Sequence, residues 1–219
     1  MAPTLRTIQP RVRTARWVQL SFAAAVGLTV AVLLVAGAGE HGTILALKAT
    51  ARVAFVPFWL AYAGAALASL FGPGLKPLPR HAREFGLSFA AIEVVHLALV
   101  AWLCLLGHPP GLKTFLVFGT AVLFVCLLTL FSIASLRARL GATGWWLLRV
   151  IGMNYVAYAF AIDFLRDPLA GGVGHAVLYW PFAALAIIGP GLRVAALVQG
   201  LARRANPSPA VVGTAAPPR

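Results

Sequence analysis

"TFLVFGTAVLFVCLLTLFSIAS", residues 114–135, holds no acidic, basic or imidazole side chain. A helix that crosses the hydrocarbon core of a bilayer needs about 20 mostly apolar residues, since each residue advances it by only about 1.5 Å. This stretch meets that requirement, and five others join it, at roughly 17–37, 50–72, 85–107, 145–165 and 175–199. The segments between them are built of turn formers: "AGAGEHG", "FGPGLKPLPR", "GHPPGLK", "RARLGATG" and "RDPLAGGVG". The pattern predicts an all-α, polytopic membrane protein with a six-transmembrane-helix bundle. Pro57, Pro181 and Pro190 fall inside the second and sixth spans, where a bilayer tolerates proline better than water does.

Composition agrees. Of 219 residues, 61% are hydrophobic and 11% charged, with a mean hydropathy of +0.89. A soluble domain of this length has too much surface to cover for so few polar groups. The sequence divides into a basic N-terminus (1–16), a transmembrane domain (17–199) and a Pro- and Ala-rich tail (200–219) that has little to bury and is expected to be disordered. The first apolar run is longer than the usual core of a signal peptide, so it is read as an uncleaved span. Cys104 and Cys126 lie inside apolar runs and read as packing residues, not as a disulfide or zinc framework.

The net charge of +13 invites a nucleic-acid reading, which its distribution opposes. Twelve basic residues fall on one face of the predicted bundle: Arg6, Arg11, Arg13, Arg16, Lys76, Arg80, Arg83, Arg137, Arg139, Arg203, Arg204 and Arg219. Four fall on the other, namely Lys48, Arg52, Lys113 and Arg166, while Arg149 and Arg193 lie within spans. The positive-inside rule makes both termini cytoplasmic, N-in and C-in. The expected partners are membrane lipids, with a quinone or a redox partner subunit as further candidates, and no nucleic acid.

Charged side chains within a span cost several kcal/mol and need a partner or a role. The third span carries Glu93 and His96, whose spacing puts them on one face. They read as a mutual hydrogen bond or one to a neighbouring helix, with a haem ligand, a quinone contact or a proton relay as the functional alternatives. The fifth span carries Arg149 and Asp163, four helical turns apart, with Asn154, Tyr155 and Tyr158 between them. Arg149 reads as snorkelling to headgroups. Asp163 is expected to meet a cation, with His96, Lys48 and Arg52 as candidates. His41, His108 and His175 sit near the outer face without metal-ligand spacing, and His81 lies in a basic loop. No Walker, G-x-S-x-G or H-E-x-x-H motif occurs, so no catalytic residue is assigned and no activity of the chain alone is expected.

Residues 80–103, "RHAREFGLSFAAIEVVHLALVAWL", and 136–169, "LRARLGATGWWLLRVIGMNYVAYAFAIDFLRDPL", resemble the ferric reductase-like transmembrane superfamily. The nearest likeness is to the haem-binding membrane subunit of the periplasmic methionine sulfoxide reductase system. Arg83, Gly86 and His96 match its third-span pattern, and Trp145 and Leu148 match the opening of its fifth. The resemblance covers roughly residues 45–169 and implies a bacterial-type inner (cytoplasmic) membrane. It also implies haem b held between two imidazoles. The family's fifth-span histidines would fall at Arg149 and at Ile162 or Asp163, so His96 alone remains, with Met153, Tyr155 or Tyr158 as conceivable second ligands. The resemblance therefore implies a haem-poor or haem-free relative with a structural, lipid- or quinone-binding or partner-subunit role. The alternatives are a transmembrane electron-transfer subunit using His96, or a small proton-coupled transporter using Glu93, His96 and Asp163. No resident cofactor or metal is expected.

The topology is open to direct test. Reporter fusions after residue 75 or 140 are expected to read as cytoplasmic and a fusion after residue 110 as exterior. A five-span pattern, or cleavage of the first segment, would contradict the assignment.

Overall fold

Long apolar segments dictate helices here, since in lipid each backbone N–H and C=O must be satisfied within its own segment. The computed structural model describes residues 9–165 and 172–205. It contains α1 (Gln9–Ala36), α2 (Glu40–Phe71), a 3-10 turn (Pro73–Leu75), the single-turn α3 (Pro77–Arg80), α4 (Ala82–Leu105), α5 (Leu112–Phe131), α6 (Ala134–Leu165) and α7 (Gly172–Ala205). Every helix but α3 is long and apolar enough to cross a membrane, which gives six candidate spans. The chain is a multi-pass helical membrane protein, and no strand occurs among the described residues.

Helix boundaries differ from the hydropathy reading in three places. α2 begins ten residues before the expected span, so Lys48 and Arg52 lie on the helix and not at its entrance. α7 runs on to Ala205. Residues 200–205, expected to open a disordered tail, thus continue the helix, while 206–219 lie outside the described residues, as do Arg166 and Asp167. The third difference is at "RARLGATG". The helix does not stop there but breaks at Gly141, whose φ of 72° and ψ of 172° interrupt two helical segments. A side chain there would suffer the steric cost of positive φ, which glycine avoids. The break lets Ala134–Leu140 leave the line of the span with Arg137 and Arg139 on it.

α2 occupies the centre. It packs against α1, α4 and α7 and reaches α6, while α5 packs mainly on α6 and touches α4 only sparsely. Lipid tails are as apolar as leucine, so helices associate through close packing and not through exclusion of water. The residues on α2 suit that demand. Ala46, Ala54 and Ala63 are fully buried, and Phe55 and Phe58 almost so. Phe55 meets Phe160 and Phe164 of α6, with ring centroids 5.0 and 5.1 Å apart. Phe58 meets Phe89 of α4 at 5.3 Å, and Phe164 meets Phe182 of α7, also at 5.3 Å. α7 comes close to α2 at Gly189, where an added Cβ would lie 3.0 Å from Trp59 Nε1 and 3.4 Å from the Tyr62 ring. Trp59 Nε1 donates to the Leu185 carbonyl at 2.8 Å across the same seam.

The two cysteines depart from expectation. Cys104 and Cys126 are free and exposed, on helix faces turned away from the core. Each sits in an apolar run whose inward positions are held by neighbours such as Leu103 and Val125.

The ring cluster predicts an asymmetry in stability. Phe55→Ala, at a site 1% exposed, should cost about 3 kcal/mol through a cavity that four neighbouring rings cannot fill. Phe115→Ala, at a site 61% exposed on α5, should cost far less. Thermal unfolding of the two variants in one detergent makes the comparison.

Candidate functional site: an arginine-lined cavity

Consecutive spans run antiparallel. The C-terminal halves of α2, α5 and α7 therefore meet the N-terminal halves of α4 and α6 at one end of the bundle. There they enclose a cavity of about 680 Å³. Its apolar wall comes from Phe58, Phe89, Val125, Met153 and Val156, with Tyr62 and Trp145 adding rings that carry a polar atom. Five arginines line it: Arg80 from α3, Arg83 from α4, Arg137 and Arg149 from α6 and Arg193 from α7. Among the described residues no carboxylate lines it. Glu84, the acid at this end, is turned toward α1, accepting from Thr14 Oγ1 at 3.4 Å and lying 3.8 Å from His81 Nδ1.

Arg193 is the deepest of the five. Its guanidinium lies 4.4 Å from the centre of the Tyr62 ring, and Nη1 donates to Asn154 Oδ1 at 3.3 Å. The Tyr62 hydroxyl donates to the same oxygen at 2.8 Å. Asn154 Nδ2 donates to the Val150 carbonyl at 2.8 Å, which fixes the amide so that its oxygen faces both donors. Tyr62 stands nine residues from the end of α2, so the arginine above it is held about 14 Å inside that end. A face-on ring and an amide oxygen orient the guanidinium but carry no negative charge. Positive charge thus gathers in a site of low polarity, which favours an anion with an apolar body.

Arg149 and Asn154, expected to matter as polar groups within the fifth span, belong to this site. Asp163 does not: it lies at the opposite end of α6 on an exposed position. Arg52 places its guanidinium 4.7 Å from the centre of the Tyr179 ring. Lys48 is exposed on α2, and Tyr158 is 54% exposed on α6, its ring 5.9 Å from that of Tyr155.

Glu93 and His96 do not bond to each other. His96 Nδ1 lies 2.9 Å from Thr50 Oγ1 on α2. That hydroxyl is also within reach of the Ala46 and Leu47 carbonyls, at 2.9 and 3.1 Å. Which of the two groups donates depends on the imidazole tautomer. Glu93 stands on α4 one turn earlier, partly buried. Farther along, His108 Nε2 lies 3.4 Å from Glu40, and His41 is exposed beside it on α2.

The donor set can be tested against a haem. Bis-imidazole ligation needs two histidines facing one space. Among the described residues no histidine lines the cavity, and His96 places Nδ1 against Thr50 on α2, outside it. The residues around the cavity do not fit that group, and no step is derived through it.

Tyr62, Arg193 and the rim arginines were not legible as a site. Arg193 is visible in the sequence as a charge within a span, yet its partners lie 131 residues away on α2 and 39 away on α6. The basic loops carried a signal, but one that reads equally as membrane topology. No family model matches the chain, and no match was found among curated proteins or solved structures.

The shared acceptor predicts a ranking. Tyr62→Phe removes one donor and should cost about 1 kcal/mol. Asn154→Leu strands both the Tyr62 hydroxyl and the Arg193 guanidinium and should cost clearly more, read as a larger drop in unfolding temperature in detergent.

Proposed function

We propose that this protein is an integral membrane protein that binds the anionic headgroup of a lipid in its arginine-lined cavity. The observation that carries the reading is the lining itself, five arginines and no described carboxylate around an apolar wall. Guanidinium groups match phosphate oxygens in a planar, two-point geometry. The distribution of basic residues supports a cytoplasmic cavity mouth by the positive-inside rule, and cytoplasmic leaflets are rich in anionic lipid. Besides its arginines, the lining offers polar groups such as Tyr62, Thr129, Ser132 and Trp145, which supply hydrogen bonds without a nucleophile–base pair. That favours binding over catalysis.

On this reading, the likeness to ferric reductase-like bundles concerns the scaffold, with the redox chemistry given up. Arg149 stands where such a family would place a ligand histidine and serves anion binding instead.

The test is thermal unfolding of the purified protein with added phosphatidylglycerol or phosphatidylcholine. Phosphatidylglycerol should raise the unfolding temperature and phosphatidylcholine should not. Added salt should shrink the difference, and the double variant Arg83→Gln/Arg137→Gln should reduce it. Equal effects of the two lipids would reject the reading.

A further inference from the structure

Glu93 lies midway along α4, eleven residues from Ala82 and twelve from Leu105, about 17 Å from either end. A carboxylate at that depth needs a partner or a role. Among the described residues the Glu93 side chain makes no hydrogen bond or ion pair. The elements around it hold no fixed counter-ion. α1 packs on α4 and carries no acidic, basic or imidazole side chain from Trp17 to Ala36, and α5 carries none from Thr114 to Phe131. On α2, Arg52 is turned to Tyr179 and Lys48 is exposed. On α6, which meets α4 through Phe160 and Phe89, Arg149 lines the cavity and Asp163 is exposed at the far end. His96, one turn on along α4, places Nδ1 against Thr50.

Glu93 shares a face of α4 with two residues of the cavity wall. Gly86 is seven residues before it and Phe89 four, spacings that align side chains on a helix, and both line the cavity. Phe89, 5% exposed, stands between the carboxyl and the cavity, so Glu93 lies one turn, about 6 Å, beyond the wall. Arg83 is ten residues, about 15 Å, away along the same helix. We propose that Glu93 is a proton-binding site linked to the cavity, taking up a proton when an anionic lipid headgroup binds among the arginines. This rests on the anionic-lipid reading above and adds a second ligand to it. A lone carboxyl suits a proton, whereas a hard metal cation needs several oxygen ligands at once. The step moves one proton from solvent to a Glu93 carboxylate oxygen, and no bond to the lipid forms or breaks. Ionised, Glu93 is a negative charge set behind the anion. Protonated, it is neutral. For an anion beside Arg83 the difference is worth about five-fold in affinity, at the effective dielectric of protein sites. Binding linkage is reciprocal, so the anion favours the proton as much as the proton favours the anion.

Phosphatidylglycerol is the probe, titrated into the purified full-length protein in mixed micelles and followed by tryptophan fluorescence, since Trp145 lines the cavity. Binding is expected to tighten about five-fold as pH falls across the range in which the protein stays folded. Glu93→Gln, of the same shape and neutral at every pH, should bind at the tight limit throughout. His81→Gln and Glu84→Gln, which alter the titratable pair at the cavity end, should keep most of the pH dependence. In weak buffer the unaltered protein should take up protons as phosphatidylglycerol is added, and Glu93→Gln should not. A pH dependence that survives in Glu93→Gln, or lipid binding without proton uptake, would overturn the linkage while leaving the anionic-lipid reading intact. If phosphatidylglycerol binds no better than phosphatidylcholine at any pH, the anionic-lipid reading fails. Dicyclohexylcarbodiimide, an apolar reagent that adds to protonated carboxyls, then tests the proton site by itself. Modification of Glu93 supports it. A Glu93 left unmodified at every pH, as a carboxylate paired with a partner's cation would be, rejects it.

Discussion

The bundle depends on the aromatic packing of α2. Phe55 and Phe58, nearly inaccessible, are the surfaces on which rings from α4, α6 and α7 converge. In water such a cluster would form by expelling solvent. In a bilayer the alternative to helix contact is contact with lipid chains of equal polarity, so shape decides. The alanines along α2 and Gly189 on α7 bring backbones close, and the rings fill what remains. Without that centre α6 and α7, which also touch each other through Phe164 and Phe182, would lose the surface they share on α2, and the space between them and α4 would have no fixed form.

The cavity follows from how the other helices are placed around that centre. α4 and α7 both pack on α2, while α5 is carried mostly by α6. At the end where α2, α5 and α7 finish and α4 and α6 begin, the helices part, and the side chains lining the gap are those the sequence places near the ends of spans. Those are largely arginines, the residues that the positive-inside rule expects near span ends. A charge pattern read from the sequence as topology therefore also lines a cavity. Arg193 alone cannot be explained by orientation, since it sits well inside a span and is held by a dedicated ring and amide.

Much of the architecture was legible in the sequence, and much of the site was not. Six apolar runs announce six spans because hydropathy is a local property. Helix ends were less certain: "EHGTILALKAT" carries charges and a glycine that look like a loop, yet α2 begins at Glu40. At 134–144 a single glycine breaks a helix that composition had split entirely. Arg149 and Asn154 stood out singly as polar groups in an apolar helix, but joining Asn154 to Tyr62 and Arg193 takes tertiary information that no local pattern holds. The same holds for His96, whose partner proved to be Thr50 on the preceding span and not Glu93 on its own helix. Helix periodicity says which side chains share a face, not which face a neighbour will engage.

The sparse contact between α4 and α5 has a consequence of its own. The two helices are joined by a short turn at the far end of the bundle, and both contribute to the wall of the cavity at the near end. On the lipid-binding role proposed above, a ligand entering between these two helices would come from the plane of the leaflet, and its occupancy would follow the mole fraction of that lipid among its neighbours.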